Sequence, residues 1–289
     1  MRICESVFEI SYEFLKRKSP VFINEKGIKQ TSDLMLKEGI KSFPIKEITK
    51  NHIYRAVLQE FVGCAINYCY WYGLPDVRYQ KCSSSKMYAL VEIAFKYYQD
   101  GDTFEICIYK LIQYLSINRF PLLEEREKHL KELIIDGEDF CIDISNAIFY
   151  KDKDDFYPFF KDMIITFPGY ASDIFLKRAS LFFIQMYRQY NWFESINRNL
   201  PVPADYQVPK MLEEFKCIEY EPYLKNLIIE NIIIPKGSKE ECFIRAATII
   251  ACKQLQEKTG WGIAEIDGWL WLKRHSVNTS FHLTITTDY

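Results

Sequence analysis

The sequence predicts a mainly α fold, a single helical body spanning residues 1–289 with minor β elements and room for two packed lobes around a cleft. Three observations predict it. Apolar residues recur at three-to-four spacing along most of the chain. Only 11 Gly and 11 Pro occur in 289 residues, too few for a loop-rich barrel. Hydrophobic residues make up 48% of the chain and aromatics 16%, enough to bury a core without disulfides or metal.

The elements follow in order. Val7, Ile10, Phe14 and Leu15 share one helical face, and that helix should stop before Ser19-Pro20, because a residue preceding proline is pushed out of the α region. Residues 28–38 form a second amphipathic segment ending at Gly39, and 53–68 a third, with Val57, Phe61, Cys64 and Ile66 apolar. Residues 69–80, rich in aromatics with Gly73 and Pro75, suit a short strand or hairpin. Residues 88–98 read as helix up to Asp100-Gly101. A strong helix over 122–135 has Pro121 in its tolerated first turn and acids early. Further helices are expected over 157–165, 174–190, 208–215, 220–231 and 239–257, with an extended Thr-rich tail over 281–289. The charged run 151–155 reads as a solvated loop rather than a domain boundary.

Composition then excludes several classes. The net charge is −2 and the pI is near 6.2, so no basic field points to nucleic acid as a partner. Nine scattered cysteines without a Cys-x-x-Cys pair fit free thiols of a reducing cytoplasmic setting better than a disulfide framework or a zinc site. The first residues carry an early acid and no apolar run, unlike a signal peptide, and no apolar stretch reaches membrane-spanning length. There is no Gly-rich phosphate loop, Gly-x-Ser-x-Gly or His-Glu-x-x-His, and His52, His129, His275 and His282 lack ligand-spaced neighbours. No cofactor and no metal are expected. Carboxylate chemistry remains.

Asp205 lies in Asp205-Tyr206-Gln207-Val208-Pro209, after Pro201 and Pro203 stiffen the approach. Two readings stand for it. An Asp just before a helix is a ready N-cap, and a carboxylate at a helix start beside an aromatic also suits stabilisation of a sugar cation.

The surrounding segments carry a family likeness. Asp205-Tyr206-Gln207-Val208-Pro209-Lys210-Met211-Leu212, followed by Glu241-Cys242-Phe243-Ile244-Arg245-Ala246, resembles the queuosine salvage family, the queuosine 5′-phosphate N-glycosylases. Similar pieces occur in the same order at Val21-Phe22-Ile23-Asn24, Ile66-Asn67-Tyr68-Cys69-Tyr70-Trp71 and Phe120-Pro121-Leu122-Leu123-Glu124-Glu125-Arg126. They continue through Phe167-Pro168-Gly169-Tyr170, Lys177-Arg178-Ala179, Asp267-Gly268-Trp269-Leu270-Trp271 and Phe281-His282.

The resemblance implies a helical fold related to helix-hairpin-helix DNA glycosylases and hydrolysis of the ribose–queuine bond of a small nucleoside or nucleotide. It implies Asp205 as the catalytic carboxylate. Asn67, Tyr68, Trp71, Tyr206, Glu241, Arg245, Asp267, Trp271 and His282 would contact substrate, and Lys177 and Arg178 would meet a 5′-phosphate. Plain readings stay open beside these. The aromatics suit a core, Arg245 follows Glu241 by one helical turn and suits an intrahelical pair, and Lys177 and Arg178 suit a charged surface. A glycosidase acting on another nucleoside or on nucleic acid, or a non-catalytic nucleobase-binding protein, also remains open. The chain departs from the family pattern at Gln207, Phe243, Leu283 and Ile285, and at the terminal Asp288-Tyr289. Lost cationic positions there bear on phosphate recognition more than on bond cleavage.

Overall fold

The computed structural model describes residues 2–40, 49–71, 82–98, 100–150, 155–193, 195–274 and 276–289. Helix dominates. α1 (Arg2–Leu15) ends ahead of Pro20, and β1 (Val21–Ile23) follows. The Asn24 side chain then caps α2 (Glu25–Glu38) by accepting the N–H groups of Lys26 and Gly27. Gly27 has to be glycine for a second reason: a Cβ there would collide with the Lys216 carbonyl. α3 (Lys50–Ala65), α4 (Ser84–Ala94) and α5 (Phe104–Ile117) begin on the hydroxyl caps Thr49, Ser83 and Thr103.

Next come α6 (Leu123–Glu132), α7 (Gly137–Tyr150), α8 (Tyr157–Thr166), the single turn α9 (Pro168–Ala171) and α10 (Lys177–Tyr190). The turn α11 (Ile196–Asn199) leads through a proline-stiffened loop to α12 (Gln207–Glu214). β2 (Ile218–Tyr220) pairs antiparallel with β1, Val21 opposite Tyr220 and Ile23 opposite Ile218. α13 (Pro222–Ile229), α14 (Lys239–Thr259) and α15 (Ile263–Lys273) complete the regular structure of the described residues.

Several expectations shift, for identifiable reasons. Helices α5, α7 and α15 escaped the periodicity reading. In α5, Ile106, Tyr109 and Ile117 are exposed while Cys107, Ile108 and Leu111 are buried, so apolar residues cover both faces and blur the stripe. The third helix ends at Ala65, not at 68, because the carbonyls of Ile66, Tyr68 and Cys69 turn away to the buried Arg126 guanidinium. Pro121 stands outside α6: Leu122 adopts a left-handed conformation, φ 53°, and the Pro121 carbonyl accepts from Arg126 Nε at 2.7 Å. The stretch expected as helix over 220–231 starts as β2, and its helix is the shorter α13. Residues 281–289 form no named strand; Leu283 makes an isolated bridge with Ile233. Residues 72–80 of the proposed hairpin, residues 151–154 of the charged run, and His275 lie outside the described residues.

Helix α14 is the axis of one half of the core. It is buried without interruption from Glu241 to Cys252 and packs against α1, α2, α12, α15 and both strands. Helix α3 organises the other half, against α4, α7 and α10. α10 touches both α3 and α15. Among the described residues no helix is long and apolar enough to cross a membrane.

Candidate active site

Three irregular segments meet beside α10: residues 66–71, residues 172–176 and residues 200–206. Buried irregular backbone leaves carbonyl groups in need of donors, and fully buried arginines supply them. Arg126 donates to Pro121, Ile66, Tyr68 and Cys69. Arg178 donates to the carbonyls of Ala65 and Gly169. Arg245 Nε donates to the Ala204 carbonyl at 2.9 Å, next to Asp205. Each segment is held in a fixed, non-repeating shape.

Asp205 stands at the end of the third segment. Its Oδ1 accepts the N–H groups of Gln207 at 2.7 Å and Val208 at 3.1 Å, so it does cap α12. Among the described residues Oδ2 takes no hydrogen bond, and one oxygen is left for chemistry. Burial raises the Asp205 pKa above the usual carboxylate value. The Lys177 charge and the two backbone N–H groups pull it back, while Asp267 pushes it up.

Lys177 opens α10 and is buried. Its Nζ donates to the Asn67 carbonyl at 2.9 Å, and its charge acts on Asp205 without a direct ion pair. Burial lowers its pKa, and the Asp205 charge opposes that shift. Asn67 Oδ1 accepts from the Tyr70 hydroxyl at 2.9 Å, which orients the amide.

An aromatic wall adjoins the carboxylate. Trp71 meets Tyr206 edge-on, centroids 4.8 Å apart at 84°, and Tyr206 packs on Phe281 at 4.8 Å. Trp71 and Phe281 close the group at 5.8 Å. The Trp71 Nε1 proton is buried and has no hydrogen-bond partner among the described residues. Buried indole donors normally find one, so this group is a donor held in reserve. Arg274, at the end of α15, lies 3.3 Å over the Trp271 ring. Burial lowers the Arg274 pKa, against the charges of Asp205 and Tyr206, which places the guanidinium within the field of the same site.

The structure therefore brings together Asp205, Tyr206, Asn67, Trp71 and Lys177. It places the other sequence-named residues differently. Arg178 spends its donors on carbonyls, on Ser172 Oγ at 3.2 Å and on His129 Nδ1 at 3.2 Å. Tyr68 is fully buried under two cations, Arg126 4.4 Å and Arg178 5.2 Å from its ring. Arg245 forms a two-pronged pair with Asp173, at 2.8 and 2.6 Å, and also reaches Glu241 at 3.3 Å. Glu241 accepts the Gly237 N–H as well. Asp267 is paired with Arg188 at 2.6 Å, and both side chains are buried. His282 is hydrogen-bonded to the Tyr289 hydroxyl at 3.0 Å, and burial pushes its pKa down to about 3, so it is neutral. Trp271 is 44% exposed beneath Arg274.

Asp173, Arg126, Phe281 and Arg274 were not among the residues singled out from the sequence. Phe281 and Arg126 each sit in a segment that carried the family likeness, which is the signal that pointed to them. Asp173 and Arg274 gave none: a lone acid in a loop and a lone base after a helix look like surface. Among the described residues no three or more His, Cys, Asp and Glu side chains gather as a metal site would require.

A helical body here buries a half-used carboxylate with an ammonium and an aromatic wall, an arrangement that suits a flat ring next to a bond that builds positive charge. The family model described as queuosine salvage protein matches residues 151–286, the stretch holding Lys177, Asp205, Arg245, Asp267 and Phe281. Over that stretch the chain is similar to the queuosine salvage protein family. It is 34% identical over 128 residues to a queuosine 5′-phosphate N-glycosylase/hydrolase of Dictyostelium discoideum, covering 40% of each chain. It is 29% identical over 173 residues to one of Sphaerobacter thermophilus, covering 55% of this chain and 49% of that protein. The matches thus span half or less of each curated relative.

Proposed function

We propose that this protein hydrolyses the N-ribosyl bond of queuosine or queuosine 5′-phosphate in the cytoplasm and releases queuine for reuse in tRNA. The observation that carries the reading is the carboxylate of Asp205. One oxygen is fixed by the α12 backbone and the other is unengaged, beside Trp71, Tyr206 and Phe281.

The chemistry follows from that arrangement. Breaking the C1′–N9 bond sends its electron pair to the base and leaves positive charge shared between C1′ and the ring oxygen. A fixed anion stabilises that state. The Asp205 Oδ2 atom faces the developing charge, orients a water towards C1′ and takes its proton as the new C–O bond forms. The departing base gains a proton at N9, and ribose or its 5-phosphate is the second product. A 7-deaza base has no N7 to protonate, so its departure depends on binding along its remaining polar edge. The Trp71 indole N–H and the Asn67 amide are the donors for that edge, and the aromatic wall holds the ring plane. The Lys177 charge opposes the upward shift that burial imposes on the Asp205 pKa. With Arg178 bound to carbonyls, Lys177 and Arg274 are the cations left for a 5′-phosphate.

The test is incubation with queuosine and, separately, with its 5′-phosphate, with chromatographic detection of free queuine. Release from either, abolished by Asp205→Asn, is the expected result. No release from either compound by the folded wild-type chain overturns the proposal. The ratio of the two turnover rates decides the phosphate question.

A further inference from the structure

We propose that Asp173 and Arg245 are positioning residues: their buried pair fastens the loop carrying Asp205 to the helix start carrying Lys177, and so sets the spacing of those two charges. This rests on the reading of Asp205 given above.

The geometry is a junction of three chain segments. Asp173 Oδ1 accepts the Phe175 N–H at 3.0 Å and Arg245 Nη1 at 2.8 Å. Its Oδ2 accepts the backbone N–H of Lys177 at 2.8 Å and Arg245 Nη2 at 2.6 Å. Asp173 thereby supplies the cap that α10 lacks, since Leu176 at its N-cap has a left-handed backbone and no capping side chain. Arg245 carries the linkage onward. Its Nε holds the Ala204 carbonyl, the peptide unit leading into Asp205, at 2.9 Å.

The guanidinium cannot drift. It lies over the rings of Phe175 and Tyr289, at 4.6 and 4.5 Å, and Glu241 occupies a further donor. Arg245 and Asp173 are 1% exposed. A planar fork answering two acceptor oxygens and a carbonyl is something lysine, with one nitrogen, does not reproduce. The pair is too buried to meet substrate. Its chemical consequence is the distance between Lys177 and Asp205.

The test uses the full-length chain with queuosine 5′-phosphate and compares Arg245→Lys, Asp173→Asn and Asp173→Glu with wild type and Asp205→Asn. Thermal unfolding establishes that each variant is folded at the assay temperature. Asp173→Glu keeps both charges and displaces one segment by about a methylene, so it is the variant that retains the fold if the others do not. Expected for folded Arg245→Lys and Asp173→Glu is a kcat loss of about tenfold to a hundredfold with KM changed less than about threefold, the signature of misplaced groups rather than lost binding.

Asp173→Asn adds a sign test. The charged and titratable groups facing Asp205 are Lys177 from α10, Asp267 from α15, Arg274 at its end, and Tyr206 in the same loop. Removing the Asp173 charge through space alone lowers the Asp205 pKa and moves the acid limb of kcat/KM to lower pH. Slackening the spacing to Lys177 moves that limb to higher pH, which is the expected result. Wild-type kcat and an unmoved or lowered limb in folded variants overturn the inference while Asp205→Asn remains inactive. Turnover retained by Asp205→Asn overturns the underlying reading instead.

Discussion

Replacing Asp205 by Asn and by Ala separates its two roles. Asn keeps an oxygen in the Oδ1 position and can still accept the N–H groups of Gln207 and Val208; Ala cannot. Both remove the anion. Loss of one fixed charge-stabilising group costs about a hundredfold to a thousandfold in turnover, roughly 3–4 kcal/mol, and both variants should show it. Stability should diverge. The cap is worth about 1 kcal/mol, and Asn caps as well as Asp. For 289 residues at roughly 2 cal/mol/K each, 1 kcal/mol moves Tm by just under about 2 °C. Ala should therefore melt about 2 °C below Asn.

Asn itself should melt above wild type at neutral pH. Burial raises the Asp205 pKa in the folded state, so its contribution to stability is present below the unfolded value and is lost as pH rises through the folded value. The gap between Asn and wild type should close as pH falls through that folded value. Queuine release and calorimetry on the three proteins are the measurements. Asn turning over at near the wild-type rate, or melting no higher than Ala, refutes the reasoning.

Adjacent cations should behave differently. Lys177→Met should cut turnover at least about tenfold with little change in denaturant midpoint. Arg178→Met, which strands the carbonyls of Ala65 and Gly169, should cost about 2–4 kcal/mol in urea unfolding. Trp71→Phe should leave the melting temperature nearly unchanged, since Nε1 has no partner to lose among the described residues, yet raise KM for base release. Burial alone would raise the Asp173 pKa, but Arg245 and two N–H groups hold it below 3.8. Its stabilisation is present above that unfolded value and is lost as pH falls through the lower folded one. His129 and His282, both pushed by burial from 6.5 to about 3, add stability above pH 6.5 that fades as pH drops from 6.5 towards 3. Unfolding free energies measured from pH 8 to 4 should accordingly begin to fall below about pH 6.5, and a flat profile would contradict that account.

The helical character was legible because amphipathic stripes such as Val7, Ile10 and Phe14 are local information. Helix α14 was legible by its length, although its buried surface runs right round it. What could not be read locally was where helices stop. The ends at Ala65 and at Leu122 are imposed by Arg126, whose carbonyl partners include residues 57 to 60 positions away in sequence. The same holds for the site. Asp205 was visible as a cap or a catalyst, and capping uses one oxygen only, so the cap leaves the proposed catalytic role open. Arg178 and Arg245 were read as surface, pair or ligand contacts because a sequence displays a charge without its acceptors. Their acceptors are main-chain oxygens and an unremarked acid, Asp173.

Those arginines also change the meaning of the missing cations at Leu283 and Ile285. Arg245 meets two carboxylates, Asp173 and Glu241, but among the described residues Arg126 and Arg178 bond to carbonyls and meet no carboxylate. Lys177 is buried beside them, and the Asp205 charge favours its protonated form against that burial. Among the described residues none of Arg126, Arg178 and Lys177 is paired directly with a carboxylate. Burial drives His129 neutral, and the charges of Arg178 and Arg126 add to that effect. A neutral nucleoside does not offset these charges. An anionic ester entering on the Lys177 and Arg274 side does, at a distance where low dielectric makes the interaction count. On the proposed reading, the apolar side chains of Leu283 and Ile285 would remove direct contacts to a phosphate while Arg126, Arg178 and Lys177 still favour one.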